Sequence, residues 1–121
     1  EDLGGPNGIL VEGQLVYIPG FATGVLSVFD LSQGKVNKLV EGIPGGDGVE
    51  RYGNGLLVSN WNGEVYFVDP ATGSAYEILD SQEAKLNAAD IEVIADRHVL
   101  LIPTFFGNSV MAYELKTVQA E

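Results

Sequence analysis

Three stretches of this chain open alike, and the distance between them limits what it can fold into. Pro6-Asn7-Gly8-Ile9-Leu10-Val11, Gly46-Asp47-Gly48-Val49-Glu50 and Ala89-Asp90-Ile91-Glu92-Val93 recur at intervals of 40 and 43 residues, counted from Asn7 to Asp47 and from Asp47 to Asp90. A second apolar run follows each opening: Leu15-Val16-Tyr17-Ile18, Leu56-Leu57-Val58-Ser59 and Val99-Leu100-Leu101-Ile102. A third run follows in turn, at Val25–Asp30, Glu64–Asp69 and Ser109–Glu114. The first two repeats close with a turn, Leu31–Gly34 or Pro70–Gly73, and a more polar fourth segment, Lys35–Val40 or Ser74–Leu79. Short runs rich in β-branched and aromatic residues, bounded by Gly, Pro and Asn, read as antiparallel strands. Four such strands in about forty residues, grading from apolar inside to polar outside, are the pattern of a β-propeller blade.

The expected fold is therefore all-β: three blades over about residues 5–42, 43–86 and 87–118, forming half of a six-bladed ring, with the last blade incomplete. Ser81–Leu86 is read as a single helical turn between the second and third blades. Closed propellers hold about four to eight blades. Two copies of a three-blade chain make six, so the expected partner is a second copy closing the ring, or else a missing amino-terminal half. The chain opens on Glu1 with no charged-then-apolar leader, so it is expected to be a processed product or an excised piece.

Charge excludes more partners than it identifies. Six basic against 17 acidic side chains give a formal charge of −11. No basic stripe is present to displace counterions from phosphates, which argues against nucleic acid and against anionic membrane surfaces. Without cysteine there are no disulfides and no thiolate chemistry. A bacterial periplasmic or secreted setting is the favoured one.

Polar residues at equivalent places in a propeller gather around one axis, and Asn7, Asp47 and Asp90 open the three repeats. One amide oxygen and two carboxylates suit calcium or another hard divalent cation. The same Asn-Gly and Asp-Gly pairs also serve as ordinary turn dipeptides. Trp61, Phe21, Phe105 and Phe106 fall in equivalent turns between second and third strands. Trp61, Phe105 and Phe106 there are candidates to line a ligand pocket, with blade packing as the alternative. His98 reads as an exposed hairpin residue. Without a Gly-x-Ser-x-Gly elbow it supports no serine triad. Asp30 and Asp69 precede turns that they would cap.

Gly5-Pro6-Asn7-Gly8-Ile9, Ile43-Pro44-Gly45-Gly46-Asp47-Gly48, Gly55 through Tyr66 and Asp69-Pro70-Ala71-Thr72-Gly73 resemble the second half of the senescence marker protein/gluconolactonase family. Asn87 through Asn108 is similar to a bacterial branch of it. The resemblance implies a six-bladed propeller with a divalent cation, often calcium, at its axis. It matches Asn7 to a metal-binding asparagine, and Asp47 to a metal-binding aspartate that is also the general base in lactone hydrolysis. The family's remaining glutamate and asparagine ligands lie in blades that this chain lacks. Two functions follow as expectations. One is a half-propeller that assembles or binds through its surface without full catalytic competence. The other is a divalent-metal-dependent hydrolase of a lactone or sugar-like small molecule.

Overall fold

A computed structural model of the chain describes residues 2–116. Its eleven strands fall into three antiparallel sheets in chain order. Sheet one contains β1 (Leu10–Glu12), β2 (Leu15–Pro19), β3 (Leu26–Asp30) and β4 (Lys35–Val40). Sheet two contains β5 (Gly46–Tyr52), β6 (Gly55–Asn60), β7 (Glu64–Asp69) and β8 (Ser74–Asp80). Sheet three contains β9 (Glu92–Ile94), β10 (Val99–Pro103) and β11 (Val110–Glu114). Within each sheet the strands pair in the order of the chain.

Local chemistry accounts for the hairpins. Gly13 and Gly53 take positive φ of 58° and 57° in the two tight inner turns, where a Cβ would be strained. The third inner hairpin is longer, a single 3₁₀ turn over Ala95–Arg97 ending on His98 at φ 53°. The Asp30 and Asp69 carboxylates accept the amides of Ser32 and Ala71 at 2.9 Å each, so both cap the turns they precede. At 81–86 the helical expectation gives way to a hydrogen-bonded turn. The Lys85 amide donates to the Gln82 carbonyl at 2.9 Å, and Lys85 then turns left-handed at φ 56°. The Ser81 hydroxyl ties both flanks, donating to the carbonyls of Gly63 and Leu86 at 2.8 and 3.0 Å.

The core lies between sheets. Tyr17, Leu26, Val40 and Ile43 meet Val49, Leu56, Val58 and Val68 in one cluster between sheets one and two. Leu57 and Val65 meet Ala88, Ile91, Leu100 and Ile102 in a second between sheets two and three. Because side chains alternate along a strand, neighbours Leu56 and Leu57 serve opposite clusters, and every residue of β6 is buried. Burying one such leucine contributes about 2 kcal/mol. The expected grading from apolar inside to polar outside holds only from the second strand outwards. The first strands carry Glu12, Glu50, Arg51 and Glu92 at sheet edges that have one strand neighbour rather than two.

Two sheet faces have no neighbour among the described residues. On sheet one, Val11, Val16, Phe29 and Val36 stand in register across all four strands, on the face opposite the first cluster. Val11 in this row and Ile9 beside it are 59% and 64% exposed. On sheet three the corresponding face mixes Leu101 and Val99 with Glu92 and Glu114.

Candidate functional site

The register places the repeat openings with more resolution than spacing allows. Glu12 pairs Leu15, Tyr52 pairs Gly55 and Ile94 pairs Val99, and counting back from these pairs aligns Asn7, Asp47 and Ala89. The hydrogen bonds agree, since the Asn7 and Ala89 amides both donate to a proline carbonyl, Pro19 or Pro103, at 3.1 Å. Asp90 therefore stands one residue further on, in the place of Gly8 and Gly48. Chain spacing missed this single step because the linkers between repeats differ in length.

That step has a steric reason. A Cβ on Gly8 would lie 2.2 Å from the Asp47 carbonyl oxygen, and the Gly8 amide donates to that oxygen at 2.7 Å. A Cβ on Gly48 would lie 2.6 Å from the Ile91 amide nitrogen and 2.9 Å from Asp90 Oδ1. Glycine at these two places lets the following sheet approach. No described sheet follows sheet three, and there the position is the exposed Asp90.

The three candidate oxygen donors nevertheless come to one end of the molecule. Asp47 sits in an irregular stretch of β5, where Gly46 pairs Asn60 but the next pair is Val49 with Val58. Such a bulge re-aims the extra residue. Asp47 is only 8% exposed, whereas Asn7 and Asp90 are exposed. Burial, and then the nearby Asp90 carboxylate, hold the Asp47 carboxyl above its usual range, against a smaller lowering effect of the Asn7 side-chain amide. These donors are all oxygens, so they fit a hard cation in kind. They supply three of the six to eight oxygens that calcium takes. Among the described residues no three His, Cys, Asp or Glu side chains gather around one point.

One residue absent from the sequence reading organises this end. Ser59, fully buried, accepts the Gly48 amide at 2.8 Å and donates to the Ala89 carbonyl at 2.7 Å. It thereby joins the openings of sheets two and three. The signal was a lone hydroxyl in the apolar run Leu56-Leu57-Val58-Ser59.

The aromatic residues reach the same end because Gly46 pairs Asn60 and Ala89 bonds Pro103. Asn60 Oδ1 accepts the Asn62 amide at 2.6 Å and its amide reaches Glu64 Oε1 at 3.2 Å, which fixes the turn that bears Trp61. Asn87 Nδ2 donates to the Trp61 carbonyl at 2.8 Å. Trp61 packs edge-to-face on Phe105 and Phe106, with centroids 5.0 and 6.1 Å away, and these two are 4.8 Å apart. Phe105 and Phe106 remain 60% and 72% exposed. Phe105 holds φ 52°, a left-handed conformation that costs a bulky residue about 1–2 kcal/mol. Phe21 takes the equivalent turn of sheet one and stays outside this cluster. His98 is exposed, with Nδ1 2.7 Å from the Tyr52 hydroxyl.

These sheets and their seams define an all-β, propeller-like protein. No family model matches the chain, and no curated protein matches it. Solved structures do. It is similar to Kuenenia stuttgartiensis hydrazine synthase (TM-score 0.66, 19% identity), over 84% of this chain and 30% of that one. It is similar to the computationally designed Ika4 protein (TM-score 0.55, 9% identity), over 96% of this chain and 94% of that one. The N-terminal domain of Nup159 matches with TM-score 0.52 and 11% identity, over 88% of this chain and 27% of that one. The chain thus spans under a third of the hydrazine synthase and Nup159 chains, and the likeness is one of fold.

Proposed function

We propose that these three sheets are blades of a gluconolactonase-like propeller that works by assembly and surface binding, without full catalytic competence. The observation that carries this reading is the apolar row Val11, Val16, Phe29 and Val36 on the open face of sheet one. Contiguous apolar surface of this kind marks an interface. Its expected cover is another blade, from a second copy closing a six-bladed ring or from a preceding set of blades. A blade covering sheet three would meet Asp90 where Gly8 and Gly48 admit their neighbours. In a two-copy ring both new seams are the same, each setting the apolar row of one copy against the sheet-three face of the other, with Asp90 at its inner end. Light scattering tests this: the expected mass is twice the 12.9 kDa chain, reduced to one chain by Val11→Asp, a substitution at an exposed site that leaves the fold intact. A folded wild-type monomer overturns closure by a second copy and leaves a preceding set of blades as the cover.

A second reading, lactone hydrolysis at the sheet openings, is favoured by Asp47 alone. It is a buried carboxylate with a raised pKa beside two further oxygen donors and an exposed aromatic cluster. Asn7, Asp47 and Asp90 would hold a divalent cation such as calcium, which when bound polarises an ester carbonyl and lowers the pKa of water. Asp47 would accept the proton of an attacking water. Trp61, Phe105 and Phe106 would seat the apolar face of the substrate. Lactone turnover that disappears with chelator and with Asp47→Asn would establish this reading. Turnover absent from the wild-type chain with calcium present would end it.

A further inference from the structure

Trp61, Phe105 and Phe106 stand on two turns that are held from beneath by buried polar residues. The Trp61 turn hangs on Asn60, which is fully buried and bonded to the Asn62 amide and to Glu64. The second turn closes on Thr104, 1% exposed, whose amide and hydroxyl both donate to the Ser109 carbonyl at 2.9 Å. Gly107 keeps this turn down on the linker between sheets, since a Cβ there would lie 2.6 Å from Thr104 Oγ1 and 3.0 Å from Leu86 Cδ2. Phe105 is left-handed at φ 52° with most of its ring in solvent. A bulky residue persists in such a conformation only where its surroundings over-determine it, and such places cluster at ligand clamps.

We propose that this trio binds a small quaternary ammonium ion, a trimethylammonium group on a short neutral chain. The ring planes cross pairwise at 68°, 73° and 80° with centroids 4.8 to 6.1 Å apart, so they bound a corner and not a plate. A flat sugar or base finds no surface of its own size there. A compact round cation in the corner comes within the roughly 6 Å of each centroid at which a ring face attracts it. The rings offer no ordinary hydrogen-bond acceptor, so a primary ammonium or guanidinium would lose water that nothing replaces. A quaternary ammonium has no N–H to satisfy and turns methyl groups to the rings.

Charge around the corner agrees with a cationic guest. Asp80 stands opposite Glu64 beside the Trp61 turn, Ser81 bonds back to Gly63, and Asp90 follows Ala89, whose amide bonds Pro103 beside the phenylalanines. The segments 60–64, 80–90 and 103–109 carry four acids, Glu64, Asp80, Glu83 and Asp90, against one base, Lys85. With the whole chain at −11, the field draws a cation in. The corner rests on two turns and not along a strand edge, which gives a small ion a seat and a peptide's main chain no ladder to join. The inference names a ligand for the surface-binding part of the reading above and rests on that part, not on ring closure or lactone chemistry.

Trp61 is the only tryptophan, so its fluorescence reports on the corner directly. The full chain is titrated with choline chloride at constant ionic strength, and a saturable change is expected. The uncharged isostere 3,3-dimethylbutan-1-ol should bind about tenfold more weakly. Phe106→Ala, at the most exposed of the three rings, should weaken choline binding about fivefold, and Phe106→Tyr should restore it. Phe105→Gly removes a ring and relieves its backbone at once, so the fold is kept while binding falls. No saturable change, equal binding of the isostere, or indifference to Phe106→Ala overturns the proposal. A trimethyl-lysine peptide that binds more than about tenfold tighter than choline overturns the free ion as ligand in favour of a peptide. Light scattering of the same samples reports separately on assembly, so a two-copy mass without choline binding ends this inference alone.

Discussion

The two seams of this molecule are built from the same strands and differ in how far they close. Between sheets one and two, four strands face four, and the apolar cluster runs from β1 out to Leu39 and Ala75 on the outer strands. Between sheets two and three, four strands face three among the described residues, and beyond Leu57 and Phe67 the seam opens into a cleft. Their inner ends differ in charge as well. At the first seam Arg51 of β5 reaches across to Glu12 of β1 with a forked contact, Nη2 to Oε1 at 2.5 Å and Nε to Oε2 at 3.0 Å. At the second, Glu50 of β5 meets Glu92 and Asp90, and like charges crowd together. One strand, β5, thus offers a cation to one neighbour and an anion to the other. A single added strand therefore changes what a seam can hold, even though the sheet between the two is the same.

The largest effect that distinguishes the seams comes from adjacent leucines. Leu56 and Leu57 are both essentially unexposed, at 0% and 1%, but Leu56 faces the closed seam and Leu57 the open one. Leu56→Ala leaves a cavity walled on every side and should cost about 3–5 kcal/mol. Leu57→Ala leaves one that joins the cleft, where water enters and side chains move in, so its cost should be about 2 kcal/mol. Urea unfolding of both variants measures the difference. Equal costs would mean that the second seam is as tight as the first.

This asymmetry marks where the sequence was legible. The repeat openings, the Gly-bounded hairpins and the polar fourth segments follow from local chemistry, so three sheets of antiparallel strands could be read before any coordinates. Two kinds of information were out of reach. The one-residue offset of Asp90 depends on which backbone groups pair, and linkers of unequal length conceal it. The pairing of Arg51 with Glu12 depends on two sheets lying face to face, which no spacing within one repeat reveals. The single turn expected at 81–86 is present as a hydrogen-bonded turn and not as a helix, with the Ser81 hydroxyl bonded to carbonyls on both flanks.

The Arg51–Glu12 contact supplies the next largest effect. Both side chains are 32% exposed, so the fork contributes about 1 kcal/mol and no more. Glu12→Gln should lose that amount near neutral pH. The hydrogen bond from Arg51 is the main cause that holds the Glu12 carboxyl below 4.5. A carboxyl lowered in the folded state gives stability that is present above 4.5 and is lost as pH falls through the lowered value. The variant and the wild type should therefore converge in acid, and chemical unfolding at a series of pH values would show it. A gap that persists in acid would assign the cost to packing instead.

Glu50 provides the smallest effect and the most discriminating, because its sign is opposite. Burial, then Glu92, Asp90 and Glu12, push its carboxyl above 4.5. A carboxyl raised in the folded state is a net penalty once pH exceeds that raised value. The penalty is relieved as pH falls through it and is gone below 4.5. Glu50→Gln should therefore stabilise the chain near neutral pH by a few tenths of a kcal/mol, the scale of one like-charge pair across strands. The advantage should vanish near pH 4.5, where Glu12→Gln is still closing its own gap. Opposite signs at neutral pH would show that β5 fastens one seam and loosens the other. If Glu50→Gln destabilises, the carboxylate has a partner that favours its charge. The inner end of the second seam would then be held together by whatever cation or donor supplies it.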